Sequence, residues 1–143
     1  MYLITPYKAI NNLNLNSTST EMEKILGKCE LTSSEYAIDY LTGHYIGGIT
    51  VSYKENLSCF IGILISLEPV HLNFNFLDKS YDEVMNYFKQ YPGNIYIEGE
   101  DTSIISEHLG ICTYFEDGLK EVAIFSQSYG AEMIKTLEIF HSI

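Results

Sequence analysis

Between Ile97 and Gly118 the chain reads IEGEDTSIISEHLGICTYFEDG. Seven of these side chains could act as acids or ligands: Glu98, Glu100, Asp101, Glu107, His108, Glu116 and Asp117. The stretch contains no Lys or Arg. A metal site would need His and carboxylate three or four residues apart on a helix, or two apart on a strand. Glu107 and His108 are adjacent, and His44, His71, His108 and His141 form no HxH, HxxH or HExxH pattern, so no metal and no cofactor is expected. Carboxylate-dependent hydrolysis would need two acids across a cleft, one with a raised pKa. Glu100 and Asp101 could supply the pair, but EGED is a glycine-broken polar segment that reads as a turn, where acids are solvated. Nucleophilic chemistry has no better support. There is no GxSxG, and Cys29, Cys59 and Cys112 have no Gly-rich or His-rich neighbours. Gly47-Gly48 lacks the Lys and Ser/Thr of a phosphate loop. The residues read as those of a protein that is not an enzyme.

Charge and aromatics remain. Eight basic residues stand against nineteen acidic ones, a net of −11, which repels nucleic acid and anionic lipid and attracts basic partners. From Glu98 to Glu121 there are seven acids and one base, Lys120, a local net of −6 (−7 + 1). Tyr96, Tyr114 and Phe115 interleave with them. Acids that steer a basic protein, with aromatics that supply contact area, fit a protein-binding surface. The contacts expected are Glu98, Glu100, Asp101, Glu107, Glu116 and Asp117, with Tyr96 and Phe115 as anchors. The plain alternative is solvated turn acids beside tyrosines that face the core.

The elements that must position these residues are legible in outline. At 143 residues the chain is expected to form one domain. In NSTSTEMEKILGK, Ser17, Thr18 and Ser19 are good caps, Met22, Ile25 and Leu26 have helical spacing, and Gly27 is a stop. In DKSYDEVMNYFKQYPG, Ser80 can cap, Val84, Tyr87 and Phe88 carry the same spacing, and Pro92-Gly93 ends the helix. Val84 follows Met22, and Phe88 follows Leu26, by the same 62 positions. INNLNLN precedes the first helix and VHLNFNF the second, each expected as a strand, the latter alternating at Leu72, Phe74 and Phe76. After each helix comes a hairpin with an acidic turn, KEN or FEDG. EYAIDYLTGHY reads as a strand, NIYIEGE is undecided, and Gly47-Gly48 implies a bulge or a close backbone approach.

The expected architecture is α+β. A strand-helix-hairpin unit is duplicated in tandem, about 4–67 and about 70–127, and forms one antiparallel sheet packed by helices. A C-terminal helix over about 130–142 presents Met133, Ile134, Leu137 and Phe140 to the core. The odd number of cysteines at wide spacing argues against a disulfide framework, and Cys59 and Cys112 read as buried packing residues in a reducing compartment. MYLITPYKAI lacks a signal-peptide pattern, and LSCFIGILISL is too short to span a bilayer, so a soluble cytoplasmic protein is expected.

The order ITPYKAINNLNLNSTSTEMEKILG, a hairpin, FNFLDKSYDEVMNYF, then SEHLGICTYFEDGLKEVAIFSQSYG resembles a family of small bacterial immunity proteins. Members accompany polymorphic toxins, including those of contact-dependent growth inhibition systems. The resemblance covers roughly Ile4 to Gly130, through a Pro-Tyr with a following Ile-Asn, a capped helix ending in Leu-Gly, and a late Leu-Gly-Ile before a hairpin. It implies an inhibitor of a cognate toxin domain, many of which are nucleases with basic substrate channels, and no catalytic residues. A small carboxylate-dependent hydrolase and a non-catalytic assembly module are the alternatives.

Overall fold

Two local signals start the two halves alike. Thr18 and Ser80 each stand three residues before a Glu, and each pair closes a capping box. A computed structural model describes residues 1–34, 37–135 and 137–141 of the chain. In it Thr18 Oγ1 accepts from Glu21 N at 3.2 Å, while Glu21 Oε1 accepts from Thr18 N at 2.9 Å, opening α1 (Ser19–Leu26). Ser80 Oγ and Glu83 Oε1 make the same reciprocal pair, both at 3.1 Å, opening α2 (Tyr81–Phe88). These donors hold both glutamates below the usual carboxylate range, the backbone hydrogen bond being the main cause.

Before α1 the chain forms β1 (Tyr2–Thr5), β2 (Ala9–Ile10) and β3 (Leu13–Asn14). After it come β4 (Leu31–Ser34), β5 (Ala37–Tyr45), β6 (Ile49–Lys54) and β7 (Leu57–Leu64). Before α2 lie β8 (Pro69–His71) and β9 (Phe74–Asn75); after it come β10 (Ile95–Glu98), β11 (Ser103–Ser106), β12 (Ile111–Phe115) and β13 (Leu119–Phe125). α3 (Gln127–Ile134) and β14 (Glu138–His141) complete the described elements. An antiparallel nine-stranded sheet has the order β14-β10-β11-β12-β13-β7-β6-β5-β4, so two four-stranded meanders meet where β13 pairs with β7. A five-stranded sheet, β3-β2-β1-β8-β9, joins the two halves again through the parallel pair β1 and β8.

One core lies between the two sheets and includes α1 and α2. Ile10 and Leu13 of the small sheet, Met22 of α1, Val84 and Phe88 of α2, and Ile61, Ile63, Val122 and Ile124 of the large sheet belong to it. The opposite face of the large sheet is covered in part by α3, whose Tyr129, Met133 and Ile134 pack with Tyr96, Ile105 and Phe125. The central strands are therefore apolar on both faces, which explains the unbroken run LSCFIGIL.

The turns follow their chemistry. Glu55 and Asn56 both have positive φ and close β6 onto β7 as a two-residue hairpin. At Gly48 an added Cβ would lie 2.7 Å from Leu64 Cδ1, the close approach that the glycine pair implies. Ser58 ties this hairpin to the entry of α1. Its buried hydroxyl donates to Asn14 O at 2.8 Å and accepts from Ser17 N at 2.9 Å, and Asn56 Oδ1 accepts from Ser19 Oγ at 2.7 Å. Replacing Ser58 with Ala leaves two backbone groups short of a partner. Urea unfolding is expected to report a loss of about 1–3 kcal/mol.

Several sequence expectations are corrected. INNLNLN and VHLNFNF are hairpins, not single strands. Asn11 and Leu72 adopt positive φ, and Leu72 is exposed, because β8 and β9 turn back to pair His71 with Phe74. The C-terminal helix starts earlier and is shorter than expected: Ser126 caps it at Gln127, and it ends at Ile134. The tail then forms β14, which satisfies the outer edge of β10, Ile139 pairing with Tyr96. Phe140 falls in this strand, and its side chain is outside the described residues, as are Glu35 and Tyr36 of EYAIDYLTGHY. The rest of that segment, from Ala37, is strand β5, and NIYIEGE supplies β10. Ile25, expected in the core, is exposed. Cys59 is buried and Cys112 partly so; burial pushes their thiols up to about 11 and about 12. Among the described residues no helix is long and apolar enough to cross a membrane.

Candidate protein-binding surface

Strand direction sorts the acidic residues. β10 runs into the turn that carries Glu100 and Asp101, and β12 into the turn that carries Glu116 and Asp117, so these four acids sit at one end of the sheet. Phe115 N donates to Thr102 O at 2.7 Å and joins the two turns. Glu107 lies after β11, at the other end of a four-residue strand, roughly 14 Å away at strand rise. It does not join the others. Its carboxylate accepts from Tyr96 Oη at 3.2 Å, and its carbonyl accepts from the Tyr7 hydroxyl. Glu98 is exposed at the end of β10, on the sheet face that α3 covers in part.

The two aromatics are not free anchors. Tyr96 is buried beneath α3, and Phe115 is buried with its ring 5.2 Å from that of Tyr81. The alternation of β10 and β12 turns both rings inward, which a list of aromatics near acids could not show. Phe115 instead floors an open cavity of about 470 Å³ at the acidic end. Its other lining residues are Ser80, Tyr81 and Asp82 from the start of α2, and Asp101, Asp117 and Gly118 from the two turns. Three carboxylates and no cation line it. Their charge is felt locally: burial raises the Tyr81 phenol first, with Asp101 and Asp82 adding to the effect.

Sequence reasoning misses Asp82 as a surface residue. In sequence it reads as a first-turn helix acid, and only the packing of α2 against β12 brings it to Asp101 and Asp117. The equivalent corner of the first half is closed, since Asn56 and Ser58 clasp the start of α1. Among the described residues no hydrogen bond makes that link in the second half. Among the described residues Glu116 is the one acid of these two turns with side-chain partners, Tyr114 Oη at 3.0 Å and Lys120 Nζ at 3.8 Å. Positive φ at Asp101 and Asp117 suits Asp, whose short side chain tolerates the left-handed region. His108 stacks on Tyr91 at 5.7 Å, and no group of three or more His, Cys, Asp or Glu among the described residues is arranged to hold a metal ion. Comparison with known proteins finds no matching family profile, no matching curated protein and no matching solved structure.

Proposed function

We propose that this protein is a stoichiometric inhibitor, an immunity protein that binds a basic toxin domain of nuclease type in the cytoplasm and masks its substrate channel. The observation that carries the reading is the cavity at one end of the large sheet whose charged lining residues are all acidic. Asp82, Asp101 and Asp117 line it, and Glu100 and Glu116 lie on the same two turns. Such a surface can stand in for the phosphates that a basic channel binds, and the net charge of −11 would speed encounter. Glu107 and Tyr96 lie outside this contact, and Glu98 is at its edge. The reading needs no catalytic group and no cofactor. We also read the molecule as a tandem duplication. Each half runs hairpin, capped helix and four-stranded meander, and the caps Thr18 and Ser80 are 62 positions apart.

Co-expression with the protein encoded immediately beside this one tests the reading. Rescue of growth and co-elution on a sizing column are expected; a toxic neighbour that is neither rescued nor bound would sink it. Within a complex, Glu100→Lys and Glu116→Lys combined with Asp101→Asn and Asp117→Asn should slow association about 10- to 100-fold at low salt. Asn is chosen at the two positive-φ positions because it keeps the turn folded. Stopped-flow association at two salt concentrations reads the effect, and an unchanged rate would move the interface elsewhere.

A further inference from the structure

Glu107 lies apart from the acidic end, and a second cavity, of about 360 Å³, opens beside it. Gln127, Gly130, Ala131 and Ile134 line one side; they recur at helical spacing and form one face of α3. Tyr7 from the turn between β1 and β2, Glu107 after β11, and Phe125 at the end of β13 complete the lining. The middle of the helix face is small. Gly130 lets α3 cross close over the Phe125 ring, since a Cβ there would lie 2.6 Å from Phe125 Cε2. Phe125, Ala131 and Ile134 therefore make an apolar floor.

Tyr7 forms the far wall in an unusual backbone conformation. Its φ is 59°, and it is the only aromatic residue among the described non-glycine positions with positive φ. Bulky side chains rarely adopt that region, so the surroundings must hold it there. Gly110 clears its ring, because an added Cβ would lie 2.8 Å from Tyr7 Cε1, and the Phe125 ring meets it edge-on at 5.8 Å. The Tyr7 hydroxyl donates to the Glu107 carbonyl. Its single proton is thereby committed, so its oxygen can only accept from a ligand.

Glu107 supplies the charge. Its Oε2 accepts from Tyr96 Oη at 3.2 Å, and among the described residues no cation pairs with it. Its carboxylate acts on the Tyr7 phenol, whose pKa is raised by burial first and by Glu107 second. Among the described residues it is the only charged group lining the cavity. The carboxylate, the Tyr7 oxygen and the Gln127 amide oxygen offer three acceptors beside the apolar floor. A primary ammonium carries three donors and no acceptor, which matches this set. An anion would be repelled, and a neutral group would leave the carboxylate without a counter-charge. Cavities that hold small ligands combine a mostly apolar lining with a few placed polar groups, as this one does.

We propose that the cavity between α3 and the Tyr7 turn binds a small primary amine with a branched or aromatic apolar body, Glu107, Tyr7 and Gln127 holding the ammonium and Phe125, Ala131 and Ile134 the body. The site is at the opposite end of β11 from the acidic turns and does not depend on the toxin reading.

The test titrates the isotope-labelled full chain with isopentylamine, and with isopentanol as its uncharged counterpart, while backbone amide shifts are followed at physiological salt. Saturable shifts at Glu107, Gln127, Gly130 and Ala131 are expected with the amine, and about tenfold weaker binding with the alcohol. Glu107→Gln keeps an oxygen for Tyr96 but loses the charge; it should weaken amine binding about tenfold while the urea midpoint holds. Ala131→Leu, at an exposed helix position, should fill the cavity and abolish binding without lowering that midpoint. Nα-acetyl-lysine amide, whose straight stem fills less of the floor, should bind more weakly than isopentylamine. Tighter binding of the lysine compound would overturn the small-ligand assignment in favour of a lysine of a partner protein. Equal binding of the alcohol, binding that survives both substitutions, or shifts confined to the acidic turns would overturn the site itself.

Discussion

Replacing Phe76 with Ala is expected to cost about 3–5 kcal/mol of folding stability. Phe76 is fully buried at the junction of the small sheet, α2 and the large sheet. Its ring meets Phe74 at 4.9 Å and nearly perpendicular, with Tyr87 and Phe88 each at 6.4 Å. Its backbone N–H also fixes the β8–β9 hairpin by donating to Pro69 O at 3.0 Å. Truncation would remove the ring contacts and open a cavity beneath α2, whose Val84, Met85, Tyr87 and Phe88 are all buried. A domain of this length has on the order of 7–20 kcal/mol to lose, so the variant should fold but unfold at clearly lower urea. Because α2 carries Ser80, Tyr81 and Asp82 to the cavity, the same variant should weaken partner binding. Phe76→Leu, which keeps most of the volume, should lose much less. Urea midpoints of the two variants check the argument, and near-equal losses would refute the cavity account.

Lowering the pH from 7.5 to 5 is expected to destabilise the wild type through His71. This side chain is 4% exposed, and burial holds its pKa below the ordinary value. Its Nδ1 lies 2.6 Å from the Tyr87 hydroxyl, which in turn lies 3.1 Å from that of Tyr91. The neutral ring is therefore the folded form. Below an unfolded pKa of about 6.5 the unfolded chain takes up the proton first, so stability falls as pH falls, by at most about 1.4 kcal/mol per unit, until the folded pKa is reached. Glu21 and Glu83 act in a lower window. Their folded values are depressed, so what they contribute is present above the unfolded carboxylate range and is lost only as pH drops through it. His71→Gln keeps a polar group near Tyr87 and cannot titrate. Its urea midpoint should be lower at pH 7.5 and should not fall toward pH 5, since the carboxyl of Glu121, raised by burial, works in the opposite direction over this range. A wild-type profile that likewise does not fall over that range would remove His71 as the cause.

Local sequence determined what local physics controls. The capping boxes at Thr18 and Ser80 were legible because each needs only a hydroxyl and a glutamate three residues apart. The turn at Asp117-Gly118 was legible because few residue types accept positive φ. The strands from Ala37 and from Leu57 were legible because β-branched and aromatic residues fit a pleated sheet. The repeated order of helix and hairpin followed from these signals, and so did the α+β class with its antiparallel sheet.

Pairing between distant segments decided the rest. Leu72 alternates perfectly with Phe74 and Phe76, yet it sits in a turn, because β9 must fold back on β8. The tail after Ile134 has a helical apolar pattern, yet it extends along β10, whose open edge requires hydrogen bonds. Strand direction placed Glu107 away from Asp101 and Asp117, and the pleat buried Tyr96 and Phe115. Packing of α2 brought Asp82 to the acidic end. The composition fixed that this protein would carry a large negative charge. Only the tertiary structure decided which of those charges share a surface, since that depends on register and on which face each strand turns inward.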